Sequence, residues 1–154
     1  MKEVRLHPDF LDFLRAFNEA GVKYMLVGGY AVIFHGYARN TGDMDIWVER
    51  SRENYAKIMR AFQIFGMPVF DMVVENFLDN ARFDVFSFGS PPVSIDIITD
   101  LKGMGFEAAF PLAVEKLTNE IAVKVISLEN LLEAKQASGR PKDLNDIQKL
   151  KQKK

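Results

Sequence analysis

The chain has 154 residues, of which 48% are hydrophobic, with 10 glycines and 6 prolines. This composition is typical of one compact domain with a packed core and excludes a disordered or fibrous protein. The absence of cysteine excludes disulfides, thiolate zinc sites and cysteine nucleophiles, so any metal must be bound by carboxylates or histidine. Because the chain has 20 basic and 21 acidic residues, its net charge gives no support to nucleic-acid binding.

Two observations predict a cytoplasmic protein that does not enter a membrane. The longest apolar runs, at 24–27 and 30–34, are far shorter than the roughly 20 residues of a membrane-spanning helix. Residues 1–5 do not have the apolar character with which a secretory signal continues.

The basic cluster near the C-terminus is interpreted as a solvated helix end. Its members are Lys149, Lys151, Lys153 and Lys154.

Hydrophobic periodicity predicts an α+β protein, with a mixed twisted sheet and helices packed against it. We expect a single domain over residues 1–154 that ends in a short helical element at about 127–151. In chain order the predicted elements are a helix over 7–20, a strand over 22–27, a helix over 30–37, a strand over 43–48, a helix over 51–65, strands over 82–88 and 93–98, a hairpin over 113–127, a helix over 127–137 and a short last helix from about 141.

A glycine pair, Gly28 and Gly29, stands between the first predicted strand and the next helix. Glycines at such a junction allow the backbone to approach a ligand and direct free N–H groups at it, which suits phosphate. A Cβ at Gly29 is expected to stand between backbone and ligand. Gly29→Ala is therefore expected to weaken nucleotide binding while the fold stays intact.

Three aspartates lie in predicted strands. Asp43 and Asp45 are two residues apart, so their carboxylates project from one face with Cα atoms about 6.5 to 7 Å apart. Asp96 sits in the otherwise apolar strand Val93–Ile98, where a charge is costly unless a cation pairs with it. Carboxylates suit Mg²⁺, which normally keeps water and phosphate oxygens as further ligands. We expect the three acids to converge on one or two metal ions.

These motifs carry a family resemblance. The glycine pair, thirteen intervening residues, Asp43-Met44-Asp45 and the later Asp96 resemble the nucleotidyltransferase superfamily. This superfamily includes polymerase beta, aminoglycoside and lincosamide nucleotidyltransferases and toxin–antitoxin members. The string Gly-Gly-Tyr-Ala, with His35-Gly36, Arg39, Thr41 and a late Lys135 and Arg140-Pro141-Lys142-Asp143, resembles in particular the AbiEii-like branch.

The resemblance implies the nucleotidyltransferase fold and a set of site residues. Gly28 and Gly29 would bind the triphosphate, Asp43 and Asp45 would bind Mg²⁺ or Mn²⁺, and Asp96, also a metal ligand, would assist the attacking hydroxyl. Tyr30 stands where many active members have serine. The complete prediction has Asp43, Asp45 and Asp96 as catalytic and metal-binding residues, and Gly28, Gly29, Tyr30, Arg39, Thr41, Lys135 and Lys142 as nucleotide-binding residues.

Several of these residues have a second interpretation. Arg39 could contact phosphate or neutralise the carboxylates. Lys135 and Lys142 could neutralise the triphosphate or simply complement helix ends. Asp143 and Asp146 are interpreted as partners of a helix dipole, and His35 as a packed residue rather than a ligand.

Two functions follow from the sequence. The first is an enzyme that transfers a nucleoside monophosphate from a nucleoside triphosphate to an unknown hydroxyl acceptor on a small molecule, protein or RNA. The second is a regulatory nucleotide-binding module, such as an antitoxin-like partner of a helical protein. The intact acids favour the first function, whereas the small size and Tyr30 favour the second. A protein partner or a homodimer fits either function.

Overall fold

The computed structural model describes residues 4–79 and 81–152. Residues 1–3, on which part of the secretory prediction rests, lie outside these ranges, as do Lys153 and Lys154 of the basic tail. Within the described ranges, no helix combines the length and the apolar character needed to cross a membrane.

Helices and strands follow one another largely as the periodicity predicts. Their bounds are α1 (Pro8–Ala20), β1 (Tyr24–Val27), α2 (Gly28–Phe34), β2 (Met44–Val48), α3 (Arg52–Phe65), α4 (Val74–Phe77), β3 (Val85–Ser90), β4 (Val93–Ile98), α5 (Phe106–Ala109), a 3-10 turn (Phe110–Leu112), β5 (Val114–Thr118), β6 (Ile121–Val125), α6 (Leu128–Ser138) and α7 (Pro141–Gln152). The sequence did not predict α4, α5 or the 3-10 turn, because one helical turn is too short to show a period.

Two predicted boundaries are wrong in an informative way. Helix α2 begins at Gly28 rather than at residue 30, so the glycine pair forms its first turn instead of a separate loop. Strand β3 covers 85–90 rather than 82–88. Residues 81–84 contain turns and bends before the strand begins.

Among the described residues, the strands form one six-stranded sheet in the order β3-β4-β2-β1-β6-β5. The β2–β4 and β1–β6 pairs are parallel, and the β1–β2, β3–β4 and β5–β6 pairs are antiparallel. This mixed sheet with packed helices confirms the predicted α+β class. Strand β2, which carries Asp45, lies in the interior of the sheet between β1 and β4.

The two faces of the sheet have different roles. On one face, Tyr24 of β1 contacts Phe17 of α1 and Phe88 of β3 contacts Phe62 of α3, so α1 and α3 cover the main core. Side chains alternate along a strand, so Asp45 and Trp47 point to the other face. There Trp47 packs edge-to-face on Phe106 of α5, with ring centroids 5.3 Å apart. The predicted acids therefore lie on the face that α1 and α3 do not cover.

Buried Asn54 connects α3 to both central strands. Its side chain is 1% exposed, and its Oδ1 accepts a hydrogen bond from the Lys23 N–H at 2.8 Å. Its Nδ2 donates to the carbonyls of Glu49 at 2.9 Å and Lys23 at 3.1 Å. Lys23 precedes β1 and Glu49 follows β2, so this one amide fixes the alignment of the strands that lead to the site.

We predict that Asn54→Ala lowers the free energy of unfolding by about 2 to 4 kcal/mol, because it leaves several buried backbone groups without partners. Urea denaturation measures this change. Gln63→Ala, at an exposed position of the same helix, is the control and should change stability by less than about 0.5 kcal/mol. Equal effects of the two substitutions would contradict the anchoring role of Asn54.

Candidate active site

A polar cavity of about 460 Å³ lies beside the predicted acids. It is lined by Gly28, Gly29, Arg39, Asn40, Thr41, Gly42, Asp43, Asp45, Asp96, Lys135, Arg140 and Lys142. Every predicted site residue except Tyr30 is in this set. The structure therefore brings together residues from five parts of the chain: α2, the loop before β2, β2 itself, β4 and the α6–α7 region.

Asp45 and Asp96 are paired in register on the parallel strands β2 and β4. Register partners on adjacent strands project to the same face, with their Cα atoms about 5 Å apart. The prediction that Asp96 lies beside the Asp43–Asp45 strand is therefore confirmed by the strand register. Asp43 comes just before β2 and is exposed, so it lies at the rim of the cavity.

The three acids do not form a ready-made metal centre. Among residues 4–79 and 81–152, no group of three or more histidine, aspartate or glutamate side chains is placed to hold a metal ion. The expected convergence of Asp43, Asp45 and Asp96 on one ion is therefore not seen. The donors still suit Mg²⁺, because it prefers carboxylate oxygens and takes its remaining ligands from water and substrate phosphate.

The electrostatics of Asp45 support this fit. Burial, followed by the charges of Asp96 and Asp43, raises the pKa of Asp45 from 3.8 to about 6, although Lys135 and Lys142 oppose the change. Repulsion between like charges is relieved by a bound cation. The acids thus have the chemistry of a cation site whose charge Lys135 and Lys142 offset only in part.

Gly28 allows β2 and α2 to approach each other closely. Its φ is +66°, a left-handed conformation that side chains rarely adopt. A Cβ at this position would overlap Asp45 Oδ2 and lie 3.2 Å from Asp45 Cγ. Both features require glycine here, and the close contact places the Gly28 backbone directly against the Asp45 carboxylate.

Gly29 packs against the loop before β2. A Cβ at Gly29 would overlap Thr41 Oγ1, lie 2.9 Å from Thr41 Cβ and lie 3.2 Å from Arg39 Nη2. The added atom would therefore first displace Thr41, a short side chain with little freedom to move. This corrects the expectation that Gly29→Ala would leave the local structure intact and act only on a ligand.

A buried ion-pair network holds two of the cavity's cations. Asp146 of α7 is 1% exposed, and its Oδ2 accepts a hydrogen bond from Arg39 Nη2 at 3.1 Å. Arg39 Nε also lies 3.1 Å from Asp146 Oδ1, but its N–H has no aligned hydrogen bond. Lys135 Nζ lies 3.1 Å from Asp146 Oδ2. One buried carboxylate therefore connects the loop before β2 to α6.

Asp143 holds the other end of this network. Lys135 Nζ donates to Asp143 Oδ1 at 3.2 Å, and Arg140 Nε donates to Asp143 Oδ2 at 2.7 Å. Burial acts to raise the pKa of Asp143, but the hydrogen bonds from Arg140, Ser138 and Lys135 outweigh it and hold the pKa well below its usual range. The interpretation of Asp143 and Asp146 as helix-dipole partners is thus incomplete. Asp143 does lie in the first turn of α7, but both aspartates are also buried counter-ions.

Tyr30 and His35, which the sequence analysis singled out, do not line the cavity. The Tyr30 ring packs edge-to-face on Phe10 with centroids 5.5 Å apart. His35 Nε2 lies 2.7 Å from the Ile126 carbonyl oxygen, and burial lowers the pKa of its imidazole. His35 is a packed residue, as interpreted from the sequence.

Sequence reasoning missed Asn40, Gly42 and Arg140 as cavity residues. Asn40 and Gly42 lie between the predicted residues Arg39, Thr41 and Asp43, so they could have been included by position alone. Arg140 lies between Gly139, which ends α6 with φ +66°, and Pro141, which begins α7. The sequence indicates a tight turn there, but not the direction in which the turn points its arginine.

We predict that Asp45→Asn stabilises the protein at neutral pH. Because the folded-state pKa of Asp45 is about 6 and the unfolded value is about 3.9, the folded state binds more protons between these values. Stability therefore falls as pH rises from about 4 to 6 and stays reduced above that. The asparagine variant avoids this loss, worth about 1 to 3 kcal/mol after allowance for solvent screening.

Denaturation at pH 4 and pH 7.5 measures this effect. The gain in free energy of unfolding should be larger at pH 7.5, whereas Asp100→Asn, at an exposed position, should change stability little at either pH. A gain that is equal at both pH values would show that the pKa of Asp45 is not raised in the folded protein.

We also predict that Asp146→Asn lowers the free energy of unfolding by about 3 kcal/mol or more, because it leaves Arg39 and Lys135 without their buried counter-ion. Asp9→Asn is the control, because Asp9 lies in the first turn of α1 and its side chain is 58% exposed. The control should cost at most about 1 kcal/mol, the range of a helix-dipole interaction. Similar costs for the two variants would restore the helix-dipole interpretation.

No protein-family model matches the chain, and a search of curated proteins found no match. Solved structures do match. A candidate nucleotidyltransferase from Thermotoga maritima is 16% identical, with a TM-score of 0.55 over 99% of this chain and 98% of that protein. The lincosamide antibiotic adenylyltransferase LnuA, solved with lincomycin bound, is 18% identical, with a TM-score of 0.55 over 96% of this chain and 97% of LnuA.

Identities this low establish a common fold rather than a common activity. The resemblance to the AbiEii-like branch stays a prediction, because neither structure carries that description. The matches extend over nearly the whole chain, so they include the sheet, the glycine pair and the α6–α7 region together. The chain therefore has the nucleotidyltransferase fold.

Proposed function

We propose that this protein is a metal-dependent nucleotidyltransferase. It would move a nucleoside monophosphate from a nucleoside triphosphate to a hydroxyl acceptor and release pyrophosphate. The observation that carries the proposal is the in-register pair Asp45 and Asp96, which lines a cavity together with four cationic side chains. A cavity lined by both carboxylates and cations suits a metal-bound polyphosphate.

The cations would bind the triphosphate. Lys142 is exposed, so its ammonium is free to move towards a phosphate. Arg39 has a side chain that is 21% exposed, and its planar guanidinium is suited to phosphate oxygens. Arg140 lies at the same mouth of the cavity on the α6–α7 turn. These three side chains would determine the position of the β- and γ-phosphates.

Lys135 would act differently from its predicted role. Its side chain is 6% exposed and is held by Asp143 and Asp146 at 3.2 and 3.1 Å. It lowers the pKa of Asp45 through space. We therefore assign Lys135 as a fixed positive charge behind the acids, whereas direct phosphate contact belongs to the more exposed Lys142.

The acids would divide the chemistry. Mg²⁺ or Mn²⁺ held by Asp45 and Asp96, with Asp43 at the rim, would neutralise charge that develops on the phosphates. Asp96 would also orient the acceptor hydroxyl and accept its proton. Asp45, beside the Gly28 backbone, would hold the ion near the first turn of α2, so that the ion could bind the phosphate end of the substrate there.

The finer parts of the proposal rest on the sequence. The AbiEii-like branch is supported by the residues from Gly28 to Asp45 and by the α6–α7 region. A cytoplasmic location is supported by the supply of nucleoside triphosphates in that compartment. The acceptor is proposed only as a hydroxyl compound, because no cavity residue distinguishes a small molecule from a macromolecule.

Calorimetric titration with each nucleoside triphosphate tests the proposal. We predict binding that is strengthened by Mg²⁺ and that loses this dependence in Asp45→Asn. Lys142→Ala should weaken binding at least about tenfold, because a charged hydrogen bond contributes about 1.5 to 3 kcal/mol. Lys149→Ala, at an exposed position of the same helix, is the matched control and should leave the affinity unchanged. Binding that is indifferent to both Lys142 and Asp45 would place the nucleotide elsewhere.

A further inference from the structure

Four residues form a row across the sheet on the face of the candidate site. Ser87 of β3 is the register partner of Asp96, Asp96 is the partner of Asp45, and Asp45 is the partner of Val27. Partners in register share a face and lie about 5 Å apart on neighbouring strands. The row therefore runs from a hydroxyl, through two carboxylates, to the strand end that Gly28 follows.

The hydroxyl in this row is already bound to the carboxylate proposed to act as the base. Ser87 Oγ donates a hydrogen bond to Asp96 Oδ1 at 2.7 Å. A nucleophile and its base are recognised by such a contact, at about 2.6 to 3.2 Å. Ser87 is exposed and lies on the edge strand β3. It lies outside the residues that line the cavity, but its register partner Asp96 is one of them.

We propose that Ser87 is itself an acceptor, so that the protein attaches a nucleoside monophosphate to its own β3 strand. This inference rests on the proposed function. Ser87 Oγ forms a bond to the α-phosphorus of a nucleoside triphosphate as the bond from that phosphorus to the bridging oxygen breaks. Pyrophosphate leaves with the bonding electrons, and the Ser87 proton passes to Asp96. The product is a phosphodiester between Ser87 and the nucleoside.

The spacing of the row permits this reaction. Ser87 and Asp45 lie two strands apart, about 10 Å between Cα atoms, with Asp96 midway. A phosphate held near Asp45 and Asp96 is then within reach of the Ser87 hydroxyl, which must approach phosphorus to about 3 to 3.5 Å. The row has the acceptor hydroxyl at one end, the strand end followed by Gly28 at the other, and both acids between them.

The other nearby hydroxyls are less well placed. Thr41 lines the cavity, but its hydroxyl side packs against Gly29, on the phosphate side of the row. Ser94 of β4 shares a face with Asp96 but is the register partner of Gly89, two residues along the strand. Among the described side chains, the hydrogen bond to Asp96 singles out Ser87.

Intact-protein mass spectrometry tests the proposal on the full chain. The protein as purified, and after incubation with a nucleoside triphosphate and Mg²⁺, should gain the mass of one nucleoside monophosphate, and peptide fragmentation should place it on Ser87. Ser87→Ala should lose the adduct. Ser94→Ala is the matched control and should keep it, and Ser87→Thr, which retains a hydroxyl, should carry it on the new side chain.

Calorimetric binding and urea denaturation of the same variants separate this proposal from the proposed function. Ser94→Ala, the matched control, should fold as stably as the parent to within about 1 kcal/mol and bind triphosphate with similar affinity. Triphosphate binding by the parent without any adduct, or an adduct on a residue other than 87, overturns self-modification alone. Failure of the parent to bind any nucleoside triphosphate overturns both proposals.

Discussion

The register between β2 and β4 is the constraint on which the rest of the site depends. It places Asp45 directly beside Asp96, and both point away from the core that α1 and α3 cover. A slip of one residue in either strand would turn that strand's carboxylate towards the core and bring its apolar neighbour, Met44 or Ile95, to the site face. The apolar neighbours Met44, Ile46, Ile95 and Ile97, all at most 3% exposed, prevent the slip. Hydrophobic alternation therefore fixes two like charges side by side. Burial, followed by this repulsion, raises the pKa of Asp45 and lowers stability.

The α6–α7 region compensates for this repulsion in part. It presents Lys135, Arg140 and Lys142 to the cavity, while Asp143 and Asp146 hold two of these cations and Arg39 in place. Burying charges is costly unless every ion is paired, and the hydrogen bonds given to both aspartates meet that requirement. The last two helices are thus a wall of the site, and the loop from Arg39 to Asp43 is fixed by a contact more than a hundred residues along the chain.

The sequence predicted the features of the fold that depend on local patterns. It failed where a contact between distant parts of the chain determines the position of a side chain. Alternation around Asp45 and Asp96 predicted both strands, and the glycine pair predicted the strand-to-helix junction. The burial of Asp143 and Asp146 was missed because position in a helix does not reveal it. Their partner Arg39 lies in a distant loop. Tyr30 follows the glycine pair in the chain, yet the turn of α2 directs it to Phe10. Ser87 gave no signal, because its importance comes only from the antiparallel pairing of β3 with β4.

The central claim is that Asp45, Asp96 and the cations of the α6–α7 region form one site for a metal-bound triphosphate. A crystal structure with Mn²⁺ and a non-hydrolysable nucleoside triphosphate tests it most directly, because anomalous scattering locates the metal independently of the nucleotide. We expect a manganese peak in contact with the carboxylates of Asp45 and Asp96, and phosphates beside Gly28 and Lys142. A metal peak or a triphosphate bound away from these two aspartates would contradict the account.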